Sequence, residues 1–129
     1  MTLAFWCVLI GLLMPILWTS FAKFLGPKKM PVKNNRNPRE YLAGLDGMQK
    51  RADWAQQNSF EAFPALAAAV IIAHITGGAA LATINVLAVV WVLARLAYGY
   101  CYLTDRSSLR SLCYFVAMLC VIGLFIAAV

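Results

Sequence analysis

The chain has 129 residues, of which 63% are hydrophobic and only 12% charged, and a formal net charge of +6. Soluble domains carry about 25% charged residues, and a chain this short cannot hide so much apolar surface from water. A water-soluble globular domain is therefore excluded. No nucleic-acid partner is expected either, because the basic residues form no helical stripe and no interleaved aromatic platform.

The first apolar segment, Thr2 to Ala22, has twenty-one uncharged residues, close to the ~20 that a helix needs to cross the hydrocarbon core. No Lys or Arg precedes it and no small-residue cleavage site follows, so it reads as a retained span rather than a signal peptide. Pro15 removes a backbone donor and is expected to kink this helix. A polar connection covers residues 23–47, with Pro27, Pro31 and Pro38 and the run Lys33-Asn34-Asn35-Arg36-Asn37-Pro38-Arg39. It reads as a loop holding one short helix around Arg39–Leu45.

Residues 62–94 contain no Asp, Glu, Lys or Arg. As one helix that run would cover about 50 Å, against a core of ~30 Å. Gly77-Gly78 supplies the break, giving a tight hairpin between two spans. The second helix begins in water near Met48 and enters the membrane at about Gln57. The expected spans are thus 2–22, 57–76, 80–103 and 109–129, with a turn at Thr104–Ser108. The fold class that follows is all-α: an integral, multi-pass membrane four-helix bundle forming a single domain over residues 1–129.

Eight of the eleven Lys and Arg residues fall between Lys23 and Arg51, and Arg106 and Arg110 lie near the Thr104–Ser108 turn. The excess of positive charge expected on cytoplasmic loops places the first and third loops in the cytoplasm and both chain ends on the opposite side. Cys7, Cys101, Cys113 and Cys120 have no metal or redox spacing, and His74 is the single histidine. They read as reduced packing residues, and no metal site is expected.

Glu61 and Arg95 bracket the uncharged run. An ionisable group at membrane depth costs several kcal/mol unless paired or wet, which makes it a functional candidate by default. Residues three and four apart share a helix face, so Arg51, Trp54, Asn58 and Glu61 form one stripe on the second helix. Arg95, Tyr98, Tyr102 and Arg106 form another on the third. At ~1.5 Å per residue, Glu61 and Arg95 lie about 10 and 12 Å from the loop end, and an ion pair between them is expected. Arg110, Ser111 and Tyr114 open the fourth helix at the same level. The bland readings are a purely structural Glu61–Arg95 pair, interfacial anchoring by Trp54 and the tyrosines, and interhelical hydrogen bonding by Asn58. His74 and Asn85 lie toward the other end and receive no role.

Two segments carry a family resemblance. One is Ala55-Gln56-Gln57-Asn58-Ser59-Phe60-Glu61-Ala62-Phe63-Pro64; the other is Ala94-Arg95-Leu96-Ala97-Tyr98, followed by Tyr102 and by Arg110-Ser111 with Tyr114. Both resemble the membrane-associated proteins in eicosanoid and glutathione metabolism (MAPEG), which include microsomal glutathione transferases, leukotriene-C synthases and prostaglandin E synthases. The order and spacing of the spans are similar over nearly the whole chain.

The resemblance implies a homotrimer with glutathione bound as co-substrate between subunits near the cytoplasmic face. By position, Asn58 and Glu61 would hold the peptide, Tyr98 and Tyr102 would line the pocket, Arg110 with Ser111 would sit by the sulfur, and Tyr114 would complete that wall. Arg95 joins them as the partner expected for Glu61. Two positions depart from the family's pattern: Trp54 and Gln57 stand where glutathione-using members often carry arginines. Neither can grip a carboxylate bidentately, and Lys23, Arg36 and Arg51 are the candidates to replace them.

Three functions follow. The first is a transferase or peroxidase that activates glutathione against lipophilic small molecules in the membrane lipid, with Arg110 as the catalytic residue. The second is a non-catalytic lipid- or partner-binding protein on the same scaffold, suggested by Trp54 and Gln57. The third, a proton-coupled exporter using Glu61, is disfavoured by the one-sided charge and the many-residue polar shelf.

Overall fold

The computed structural model describes residues 1–129, and the chain is helical throughout, with no strands. Helix α1 spans Leu3–Ser20 and continues as a π-helical turn, Phe21–Leu25. A 3-10 turn at Val32–Arg36 and a short helix α2, Pro38–Ala43, occupy the connection. Helices α3 (Gly47–Thr76), α4 (Leu81–Leu103) and α5 (Ser107–Ala127) complete the chain. Four helices are therefore long and apolar enough to cross a membrane. At ~1.5 Å per residue the 30-residue α3 measures about 45 Å, so roughly its first three turns extend beyond a ~30 Å core.

Pro15 does not interrupt α1, which runs through it to Ser20. The irregularity comes further along, in the π-helical residues Phe21–Leu25. Gly77 ends α3 in the left-handed region (φ 69°), a conformation that glycine adopts without a Cβ clash.

α3 contacts all three other spans, and α4 packs along α5. The core is built largely from small side chains, among them Ala4, Ala55, Ala69, Ala73, Ala88 and Ala117, while Leu, Ile and Phe crowd the outside. That inversion suits a lipid solvent. Lipid tails are as apolar as leucine, so helices associate through close backbone approach rather than by removing leucine from water. Gly99 is the closest such approach: the Trp18 indole lies where a Cβ would stand.

Polar side chains tie the helix ends. At the hairpin end, Asn85 accepts a 3.0 Å hydrogen bond from the Ala4 N–H, satisfying one of the free donors at the start of α1. His74 lies 3.0 Å from the Thr2 hydroxyl and stacks on Phe5 at 4.3 Å. At the loop end, buried Gln49 donates to the carbonyls of Ala22 (2.7 Å) and Lys28 (2.6 Å) and accepts from the Lys28 N–H (3.1 Å). That one amide fastens the connection to α3. Arg51 donates to the carbonyls of Tyr102 (2.9 Å) and Leu103 (3.2 Å), which lie among the last four of α4 and have no partner within the helix.

Candidate functional site

The polar side chains inside the bundle gather at the loop end, where α3, α4 and α5 meet. Arg95 is the centre of this group. Its position on α4 turns the side chain inward, and only 1% of its surface is exposed. The guanidinium lies over the Tyr98 ring, 4.3 Å from the centroid, a favourable contact between a cation and the negative ring face. Its Nη2 donates a 2.8 Å hydrogen bond to the Asn58 side-chain oxygen, and the Asn58 amide donates at 3.1 Å to a Glu61 carboxylate oxygen.

The expected Glu61–Arg95 ion pair is therefore not direct. Asn58 stands between the two charges and relays one to the other. The ion pairs of the chain lie elsewhere, at Lys28–Asp46 (3.6 Å) and Lys50–Asp53 (3.3 Å). Asn58 sits one turn before Glu61 on the same face, so its short side chain reaches Arg95 first, while Glu61 remains exposed.

The tyrosines extend the cluster toward the loops. Tyr98 meets Tyr102 edge-on at 5.3 Å and faces Tyr114 at 6.5 Å. The Trp54 ring stands 6.4 Å from that of Tyr102. Arg110 places its guanidinium 4.3 Å from the centroid of the same Tyr102 ring. Asn58, Glu61, Arg95, Tyr98, Tyr102, Arg110 and Tyr114 are thus linked by contacts across three helices. Ser111 is not part of that network: it is exposed, and its hydroxyl donates to the Ser107 carbonyl of its own helix at 3.2 Å.

A cleft of about 120 Å³ opens beside Arg95. Asn58, Glu61, Arg95 and Tyr114 form its polar end, and Ala62, Ala65, Ala117 and Val121 continue it as an apolar trough between α3 and α5. Arg95 has spare capacity here, since its Nε and Nη1 are buried without a hydrogen-bond partner. A buried donor without an acceptor costs about 1–3 kcal/mol, more when charged, and such groups are rare in settled cores. The arrangement sets a buried cation with two unpaired donors beside the polar head of an apolar trough, which is chemically suited to a ligand with an anionic or polar head.

Two residues that the sequence reading left among other candidates, or did not raise, help to build this end. Arg51 anchors on α4 beside Tyr102. Gln49, not singled out at all, holds the incoming connection. Their signal was positional: both lie in the polar first turns of a helix that continues into the membrane.

A polytopic helical bundle with four spans long and apolar enough to cross a membrane, and a charged and aromatic cluster at its loop end, defines an integral membrane protein. The sequence matches the MAPEG family profile over residues 3–129, and the chain belongs to that family. No curated protein and no solved structure gives a match.

Proposed function

We propose that the protein is a membrane-embedded glutathione-dependent transferase or peroxidase acting on lipophilic electrophiles. The observation that carries this reading is the continuous Glu61–Asn58–Arg95 relay, extended through Tyr98 and Tyr102 to Arg110, at the head of an apolar trough. Glutathione enters from the loop side and the acceptor from the lipid. Asn58 and Glu61 hold the peptide portion, Tyr98, Tyr102 and Tyr114 wall the pocket, and Arg110 is the catalytic residue, with Ser111 beside it.

A free thiol ionises near pH 8.5, and only its thiolate is a good nucleophile. A guanidinium beside the sulfur favours the anion and lowers that value. With a chlorinated aromatic acceptor, the sulfur forms a C–S bond and chloride leaves. With a lipid hydroperoxide, two glutathione molecules become the disulfide while the O–O bond is reduced to an alcohol and water.

The working form in this proposal is a homotrimer. Glu61, Trp54 and Tyr114 are exposed on the single chain, and a carboxylate facing hydrocarbon is costly, so a neighbouring copy that covers this face relieves the cost. The basic loops face the cytoplasm, following the positive-inside rule.

A second reading keeps the scaffold without the chemistry: a lipid- or partner-binding protein. Trp54, 45% exposed on the site's stripe, favours it, since an indole is a lipid contact and no carboxylate grip. Purified protein assayed with a chlorinated aromatic acceptor and with a lipid hydroperoxide decides between them. Turnover that Arg110→Ala abolishes supports the enzyme. Failure to bind glutathione at millimolar concentration discards it.

A further inference from the structure

Three guanidinium groups converge on the tyrosine pair of α4. Arg95 lies over Tyr98, Arg110 lies over Tyr102, and Arg51 is bound to the backbone of Tyr102 and Leu103. None of the three lies within ion-pair distance of a carboxylate, because the chain's ion pairs involve only Lys28 and Lys50. Glu61 is the single carboxylate of the relay, and it reaches Arg95 only through Asn58. The site end therefore carries more positive than negative charge, with part of it at bilayer depth, where unbalanced charge is expensive.

Arg51 has a geometry beyond that of a helix cap. A guanidinium offers five N–H donors in a planar fork. Here Nε and one Nη2 hydrogen are spent on α4 carbonyls, which leaves Nη1 and the second Nη2 hydrogen without a protein acceptor. The side chain is half-buried, and its free edge has no protein hydrogen-bond partner. The two backbone bonds fix the plane of the fork, and a fork held in place loses little entropy when it takes up a carboxylate or phosphate oxygen pair.

We infer that Arg51 is an anion-binding residue of the site, presenting its free edge to a carboxylate of the ligand at the mouth of the Tyr98–Tyr102 cluster. This inference rests on the glutathione reading and names the residue that takes the peptide's outer carboxylate in a chain with tryptophan at position 54. The same edge would also accept the phosphate of an anionic lipid headgroup. The shared chemistry is a planar two-oxygen anion, and the test separates the two sources.

The experiment uses the full chain in phosphatidylcholine nanodiscs, titrated calorimetrically with glutathione and with its diethyl ester, which lacks both negative charges. Wild type should bind the free acid at least about ten-fold tighter than the ester. Arg51→Gln should bring that ratio close to one while leaving ester affinity near wild type. The loss of its two bonds to the α4 carbonyls lowers the thermal midpoint without altering the ratio. Arg51→Lys, which keeps the charge without the fork, should fall between. An unchanged ratio in Arg51→Gln, or equal loss of acid and ester, makes Arg51 only a helix cap and overturns the inference. If wild type binds neither compound, the glutathione reading fails by itself, and the anion site is judged in nanodiscs that also contain phosphatidylglycerol, by the lipid retained in native mass spectra. One lipid per chain that Arg51→Gln releases assigns the edge to a headgroup. No retained lipid overturns the site as well.

Discussion

Arg95 on α4 grips Asn58 on α3, with its Nη2 2.8 Å from the Asn58 side-chain oxygen, and this is the one hydrogen bond the buried guanidinium makes with protein acceptors. The charge is thereby anchored by a neutral amide, while two of its nitrogens are buried without a hydrogen-bond partner. A structural ion pair would have used that capacity. The relay leaves it for something else.

The first prediction concerns this bond. Leaving a buried charged donor without its acceptor costs about 1–3 kcal/mol or more, whereas an apolar side chain in place of the charge also removes its desolvation penalty. Asn58→Ala should therefore lower the thermal midpoint in detergent more than Arg95→Met does. Arg95→Met should hold or raise the midpoint yet weaken co-substrate binding at least about ten-fold. An Arg95→Met variant that melts earlier than Asn58→Ala contradicts this account.

The second concerns pH. In the proposed enzyme Arg110 would stand beside the sulfur, and the bound thiol would ionise below its usual value of about 8.5. Activity should thus be largely present at neutral pH. In Arg110→Ala the thiol regains a higher value, so turnover at pH 7 falls by at least about ten-fold, the equivalent of one pKa unit, and part of it returns as the pH is raised past 8.5. A uniform loss at every pH would assign Arg110 to binding and not to ionisation.

The third concerns packing. Trp18 occupies the space over Gly99 that a Cβ would need, and overpacking a tight contact costs about 1–3 kcal/mol. Gly99→Ala should reduce stability by that order, and Trp18→Leu in the same chain should restore part of it. Thermal unfolding of the single and double variants measures the coupling; simple additivity would show that the two residues do not compete.

The fourth concerns assembly. If a neighbouring copy covers Glu61, Trp54 and Tyr114, light scattering with detergent correction should give a mass of three chains. Cysteine at position 60, where Phe60 is exposed on α3, tests which face meets the neighbour through its cross-linking pattern. A monodisperse monomer that keeps full activity would sink the trimer.

The fold was legible because lipid imposes length and apolarity on every span, and because Gly77 must break a run too long for one crossing. The site was legible as stripes, since helical periodicity fixes which face a residue occupies. It does not fix which of two residues on that face arrives first, and Asn58 rather than Glu61 meets Arg95 for that reason. Ser111 illustrates the same limit: its position matched, but its hydroxyl turned to its own helix at Ser107. The ties of His74 to Thr2 and of Asn85 to Ala4 join positions 72 and 81 residues apart. No local pattern encodes such pairings.

Only four residues, Gly77–Ala80, turn the chain from α3 to α4, and the Arg95–Asn58–Glu61 relay with its tyrosines gathers at the opposite pole. Under the proposed function, the water-soluble co-substrate arrives and its adduct departs on one and the same side of the bilayer.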